Sequence, residues 1–210
     1  MYKKHNRKRL TAFNEIKFKS KWARFTKFKK TKNNCDFFGA KKAIQKATKI
    51  KKGLDRQSIL NFMKCRPSFI GCYAENELKS LKLQMFPSFL IANLDTNQMK
   101  GSHWIGIGIF KSRIEIFDPL GFEIFKWPRI PCDLLNFLHR LTVSRDVNLC
   151  HRIQDDKSVL CGFYSMFYVY AREYFNFTEI ISLFSSVSSR NDRRLIHLFS
   201  YLSHYILLFR

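Results

Sequence analysis

The sequence predicts an α+β domain, with a mixed or antiparallel central sheet packed by helices. Three observations lead there. Two short apolar segments, 103–110 and 113–117, flank Lys111-Ser112, a spacing that fits a tight antiparallel hairpin. Segments with helical periodicity and helix-start residues are mixed with strand-like segments along the chain. No internal repeat is present.

Gly53 closes a basic N-terminal arm, and Asp55 is placed to cap a short helix over 56–64. Ile59, Leu60 and Met63 share one face of that helix, and Pro67 ends it. Residues 69–73 read as a short extended segment, and 75–82 as polar surface. Residues 86–94 are rich in apolar side chains and read as a buried strand. A turn containing Asp95, Thr96, Asn97 and Gly101 follows. In the hairpin, Ile105, Ile107 and Ile109 share one face, and Gly106 and Gly108 the other. Glycines on a strand face let a large element pack closely, and the apolar helix from Cys161 is the candidate. Pro131 starts a helix through Leu134, Leu135, Phe137, Leu138 and Leu141. Residues 147–153 read as another strand. Cys161-Gly162 opens the apolar run Phe163 to Tyr174, a buried helix. A further segment spans 178–187, and Asp192 is expected to cap a final amphipathic helix out to about Leu208.

The 210 residues include 22 phenylalanines, enough for one domain with a substantial core plus an appendage. The formal charge of +22 is concentrated. Residues 1–52 carry 19 Lys and Arg against 2 acidic residues, and 53–210 carry 19 against 14. The chain therefore divides into a basic arm, 1–52, and a domain, 53–210. A basic arm calls for a polyanionic partner, most simply nucleic acid. Its aromatics, among them Phe13, Phe18, Trp22, Phe25 and Phe28, suit stacking on single-stranded bases. A solvated arm with no specific partner is the alternative. Residues 3–9 could equally serve as a nuclear-import signal. The six cysteines form no CxxC pair, and the N-terminus lacks an apolar signal region. Free thiols in a reducing, intracellular compartment are expected rather than secretion and a disulfide framework. Zinc is not expected, because Cys150-His151 has no matching ligand pair. The best membrane candidate, 195–209, is short and carries His197 and His204, so no membrane partner is expected.

Cys161, at a helix start, sits where unpaired N–H groups and the helix dipole favour thiolate, the nucleophilic form. Alone it would read as a small buried hydrophobe. Other residues answer to it. His103 lies at the start of one hairpin strand and Asp118 at the end of the next. With Lys111-Ser112 at the tip, the two fall nearly opposite, within reach of carboxylate to ring nitrogen. A thiol protease needs this set: a thiol, an imidazole, and a group to orient the imidazole. Asp118 before Pro119 also suits a plain turn residue. The Cys161 N–H and the Gln154 amide, seven residues upstream, can supply two oxyanion donors. Trp104 either flanks the substrate cleft beside Gly162 or is an ordinary core tryptophan.

These residues resemble the adenovirus-type cysteine protease (adenain) and its relatives in Maverick/Polinton-type transposons. The resemblance runs from about Leu54 to Tyr174. It rests on Phe69-Ile70-Gly71-Cys72-Tyr73, Phe86-Pro87-Ser88-Phe89 with Ile91-Ala92-Asn93-Leu94-Asp95, Gly101-Ser102-His103-Trp104, Phe117-Asp118-Pro119-Leu120-Gly121-Phe122, and Gln154 seven residues before Cys161-Gly162. It implies a papain-like site with His103, Asp118 and Cys161 as the catalytic triad and Gln154 at the oxyanion hole. It implies an endopeptidase cutting viral structural precursors during virion maturation, in the host nucleus or the virion. No cofactor is required for that chemistry, and DNA is a candidate activator, reached here through residues 1–52. A monomer is expected. The family's disulfide-linked activating peptide is not supported, since the nearest upstream cysteine, Cys150, is only four residues from Gln154. The same clan includes proteases that remove ubiquitin-like modifiers, so isopeptidase activity is an alternative. A non-enzymatic DNA- or capsid-associated protein is another.

Overall fold

A computed structural model of the chain describes residues 52–64, 66–121, 131–143 and 145–207, with Lys42, Ala43 and Lys46. The basic arm, apart from Lys42, Ala43, Lys46 and Lys52, lies outside the described residues, as do Phe122, Cys35 and Cys65.

The fold is α+β, and its centre is a five-stranded mixed sheet. Strands β1 (Phe69–Tyr73), β2 (Ser88–Asn93), β3 (Trp104–Ile109), β4 (Arg113–Phe117) and β5 (Asp146–Leu149) lie side by side in chain order. The inner pairings, β2 with β3 and β3 with β4, are antiparallel; the outer ones are parallel. The hairpin has the register its tip dictates, with Ile107 opposite Ile116 and Gly106 opposite Phe117. All six residues of β2 and of β3 are buried, as expected for strands covered on both faces.

Helix α1 (Arg56–Met63) starts where the Asp55 carboxylate accepts the Ser58 N–H, at 2.8 Å. Helix α2 (Cys132–Thr142) covers the isoleucine face of the hairpin through Leu134, Phe137, Leu138 and Leu141. Helix α3 (Cys161–Ala171) covers the glycine face and is buried along its whole length. A side chain at Gly106 or Gly108 would collide with the Tyr168 ring or hydroxyl. The missing side chains let Tyr168 stack on Phe117, 4.8 Å between ring centroids. Helices α4 (Phe177–Ser182) and α5 (Asn191–Leu207) complete the α3 side.

Four expectations are corrected. Residues 75–82 are not simply polar surface. Glu75–Ser80 forms a 3-10 helix, whose Glu77 carboxylate accepts the Ala74 N–H at 2.8 Å. Its Leu78 is fully buried under α2, where Arg140 donates to the carbonyls of Leu78 and Lys79. One leucine among polar residues is enough to dock a single turn. The strand expected over 147–153 stops at Leu149. Beyond it, the N–H groups of Ile153 and Gln154 both donate to the Pro119 carbonyl, pulling the chain off the sheet. Asp192 lies within the first turn of α5 rather than before it, with its carboxylate engaged elsewhere. The segment expected over 178–187 is a shorter helix, begun by an Asn176 cap on the Glu179 N–H. Among the described residues, no helix is long and apolar enough to cross a membrane.

Candidate active site

The site is assembled where the β3–β4 hairpin opens and α3 begins. His103 immediately precedes β3, and its carbonyl accepts the Leu94 N–H at 3.0 Å. Gly101, two residues earlier, has φ +82 and lies against the Asn93 amide, so a side chain there would clash as well as strain the backbone. His103 Nε2 and Asp118 Oδ1 are 2.7 Å apart, with both residues buried.

Asp118 holds both of the roles its sequence position allowed. The same Oδ1 accepts the Leu120 N–H at 2.9 Å, and its carbonyl accepts the Gly121 N–H at 2.9 Å. The tight turn fixes the carboxylate that faces the ring. Gly121 has φ +67, and a Cβ on it would overlap the Arg152 backbone. That contact seats the segment leading to Gln154 against the Asp118 turn.

Cys161 is the first residue of α3 and is 8% exposed. The Cys161 side chain is near enough to the His103 ring to act on its charge. With Nε2 on Asp118, Nδ1 is the nitrogen left for the sulfur. Burial acts to lower the His103 pKa, but hydrogen bonds and charge from Asp118 and Cys161 outweigh it and push it up to about 9. This predicts a pH signature. Below about pH 6.5 the ring is protonated whether folded or unfolded, and its pairing contributes fully to stability. From there to about pH 9 only the folded chain keeps the proton, so stability falls as pH rises. The expected slope is up to about 1.4 kcal/mol per pH unit. Urea denaturation across this range should show the slope in the wild type and its loss in His103→Ala; equal slopes would refute it.

Gln154 is 1% exposed, and its Nε2 donates to the Ser158 carbonyl at 2.8 Å. Gln154 Oε1 is buried without a partner among the described residues. Trp104 is buried; its indole N–H donates to the Leu54 carbonyl at 3.0 Å, and its ring edge packs on Gly162. Trp104 thus packs under the start of α3, against Gly162, as an ordinary core tryptophan would.

The other described cysteines, Cys72, Cys132 and Cys150, are free like Cys161. Burial pushes the Cys72 thiol up to about 12. It also raises that of Cys150, as does the nearby Asp118 charge. Neither is suited to react as a thiolate near neutral pH.

Sequence reasoning missed the supports of this site. The Pro119 carbonyl anchors Gln154, and Ser158 orients its amide. Asn191 and Asp192 reach the same loop from α5. The available signal was two adjacent Asx residues, which mark a helix start but do not say what else they bond. No family model matches the chain, and no curated protein matches it.

Proposed function

We propose that the protein is a cysteine endopeptidase acting on polypeptide substrates. The observation carrying this reading is the buried His103, paired with Asp118 at 2.7 Å and lying near a cysteine at a helix N-terminus. In the proposed reaction His103 already holds the proton given up by Cys161, and the sulfur attacks the scissile carbonyl carbon. The carbonyl oxygen becomes an oxyanion, met by the Cys161 N–H and the Gln154 amide. Its collapse breaks the C–N bond, and His103 returns the proton to the leaving amine. Water, deprotonated by His103, then cleaves the thioester, releasing the acid and restoring the starting Cys161–His103 pair. Asp118 holds the ring in place and stabilises its charged form.

The resemblance extends the proposal to a biological task, the processing of viral or virus-like-element structural precursors during virion maturation. The charge of residues 1–52 supports DNA as an activating partner and a nuclear or virion setting.

The test is alkylation by iodoacetamide at pH 7, with the labelled residue identified by mass spectrometry, with and without DNA. Rapid labelling of Cys161 is expected, slowed about 100-fold or more in His103→Ala. Labelling spread evenly over the cysteines and indifferent to His103 would end the enzyme reading.

A further inference from the structure

We propose that Asp192, at the head of α5, is a positioning residue that sets the two oxyanion donors, Gln154 and the Cys161 N–H, relative to each other. This rests on the endopeptidase reading above. One carboxylate oxygen makes the connection. Asp192 Oδ1 accepts the Ser158 hydroxyl at 2.9 Å and the Tyr164 hydroxyl at 3.0 Å. Ser158 belongs to the Gln154 side, since its carbonyl takes the Gln154 Nε2 hydrogen bond. Tyr164 belongs to the Cys161 side, one helical turn along α3. The loop and the helix are thereby tied to a common point 34 and 28 residues away in the chain. The neighbouring Asn191, fully buried, donates to the Ile153 carbonyl at 2.8 Å and secures the segment immediately before Gln154.

The carboxylate is an awkward choice for packing alone. Asp192 is half-buried, and its hydrogen-bond partners among the described residues are hydroxyls rather than cations. Replacing such a cluster, acceptor and donors together, by apolar groups of the same shape can be nearly neutral. What an acceptor oxygen adds is a fixed angle between loop and helix. Two donors must converge on one developing oxyanion, and a misplacement of about 1 Å can cost roughly 100-fold in rate.

Two small probes separate this role from the chemistry of the thiol. Alkylation of Cys161 by iodoacetamide forms no oxyanion. Acylation by p-nitrophenyl acetate passes through one, and releases p-nitrophenolate. Each rate is taken as the part lost in Cys161→Ala. In Asp192→Ala, acylation is expected to fall about 10- to 100-fold, the range for a displaced oxyanion donor, while alkylation stays within about twofold. Asp192→Asn, which keeps an acceptor oxygen, should recover most of the acylation rate. Ser158→Ala should reproduce the loss. A parallel fall of both rates, or no change in either, would overturn the proposal. Preserved alkylation reports that the variant is folded. Failure of the underlying enzyme reading looks different, because the wild type itself would then show no Cys161-dependent rate with either probe.

Discussion

Replacing Cys161 with alanine is expected to lower hydrolysis of peptide or ester substrates by about 10⁵-fold or more, to the background rate. In enzymes whose nucleophile and base act as a unit, removing either member costs about as much as removing both. The double variant Cys161→Ala/His103→Ala should therefore be no worse than Cys161→Ala alone. The change is small for the fold. One sulfur atom leaves a buried position, at a cost of about 1 kcal/mol, and the His103–Asp118 pair remains. Hydrolysis assays beside urea denaturation would separate loss of chemistry from loss of structure. Retained hydrolysis in a folded Cys161→Ala would place the nucleophile elsewhere or deny that there is one.

The largest effect on stability is expected at Glu115. It lies on β4 opposite Gly108 and is 1% exposed. Arg172, just past the end of α3, donates to both of its oxygens, at 2.6 and 3.0 Å. The Tyr168 hydroxyl donates at 3.0 Å, and Arg113 Nε at 3.0 Å from the strand's first residue. Glu115→Ala would leave the largely buried Arg172 guanidinium, 9% exposed, without its carboxylate. Breaking a buried ion pair this way typically costs about 3–5 kcal/mol, a large share of a domain's total stability. Glu115→Gln keeps part of the hydrogen bonding and should cost less. Equilibrium urea unfolding decides the point; a change below about 1 kcal/mol would mean the cluster is not holding the helix. The functional consequence is mechanical. Glu115 pins the far end of the helix whose first residue is Cys161, about 16 Å away along the axis.

Glu115 also marks the boundary between what can and cannot be read from the chain. The hairpin tip at Lys111-Ser112 sets every pairing that follows, because strand side chains alternate with period two. The same rule places Glu115 on the glycine face beside Phe117, an acid pointing into the core. Its partners Tyr168 and Arg172 lie more than 50 residues later, and nothing local announces them.

The sequence by itself determined the local pieces. Asp55 as a cap, the hairpin register, the glycines that admit the buried helix, and the chemical set His103, Asp118, Gln154 and Cys161 follow from period, turn chemistry and residue type. Tertiary structure alone decided the parallel outer strands, the docking of Leu78, and the early exit from β5 that brings Gln154 onto Pro119. It alone converted Asn191 and Asp192 from a helix start into partners of the Gln154 loop. The physical reason is range. Caps, turns and alternation act within a few residues, whereas these contacts join segments brought together only when the helices close over the sheet. Polar side chains left inside at that point take whichever partners the packing supplies.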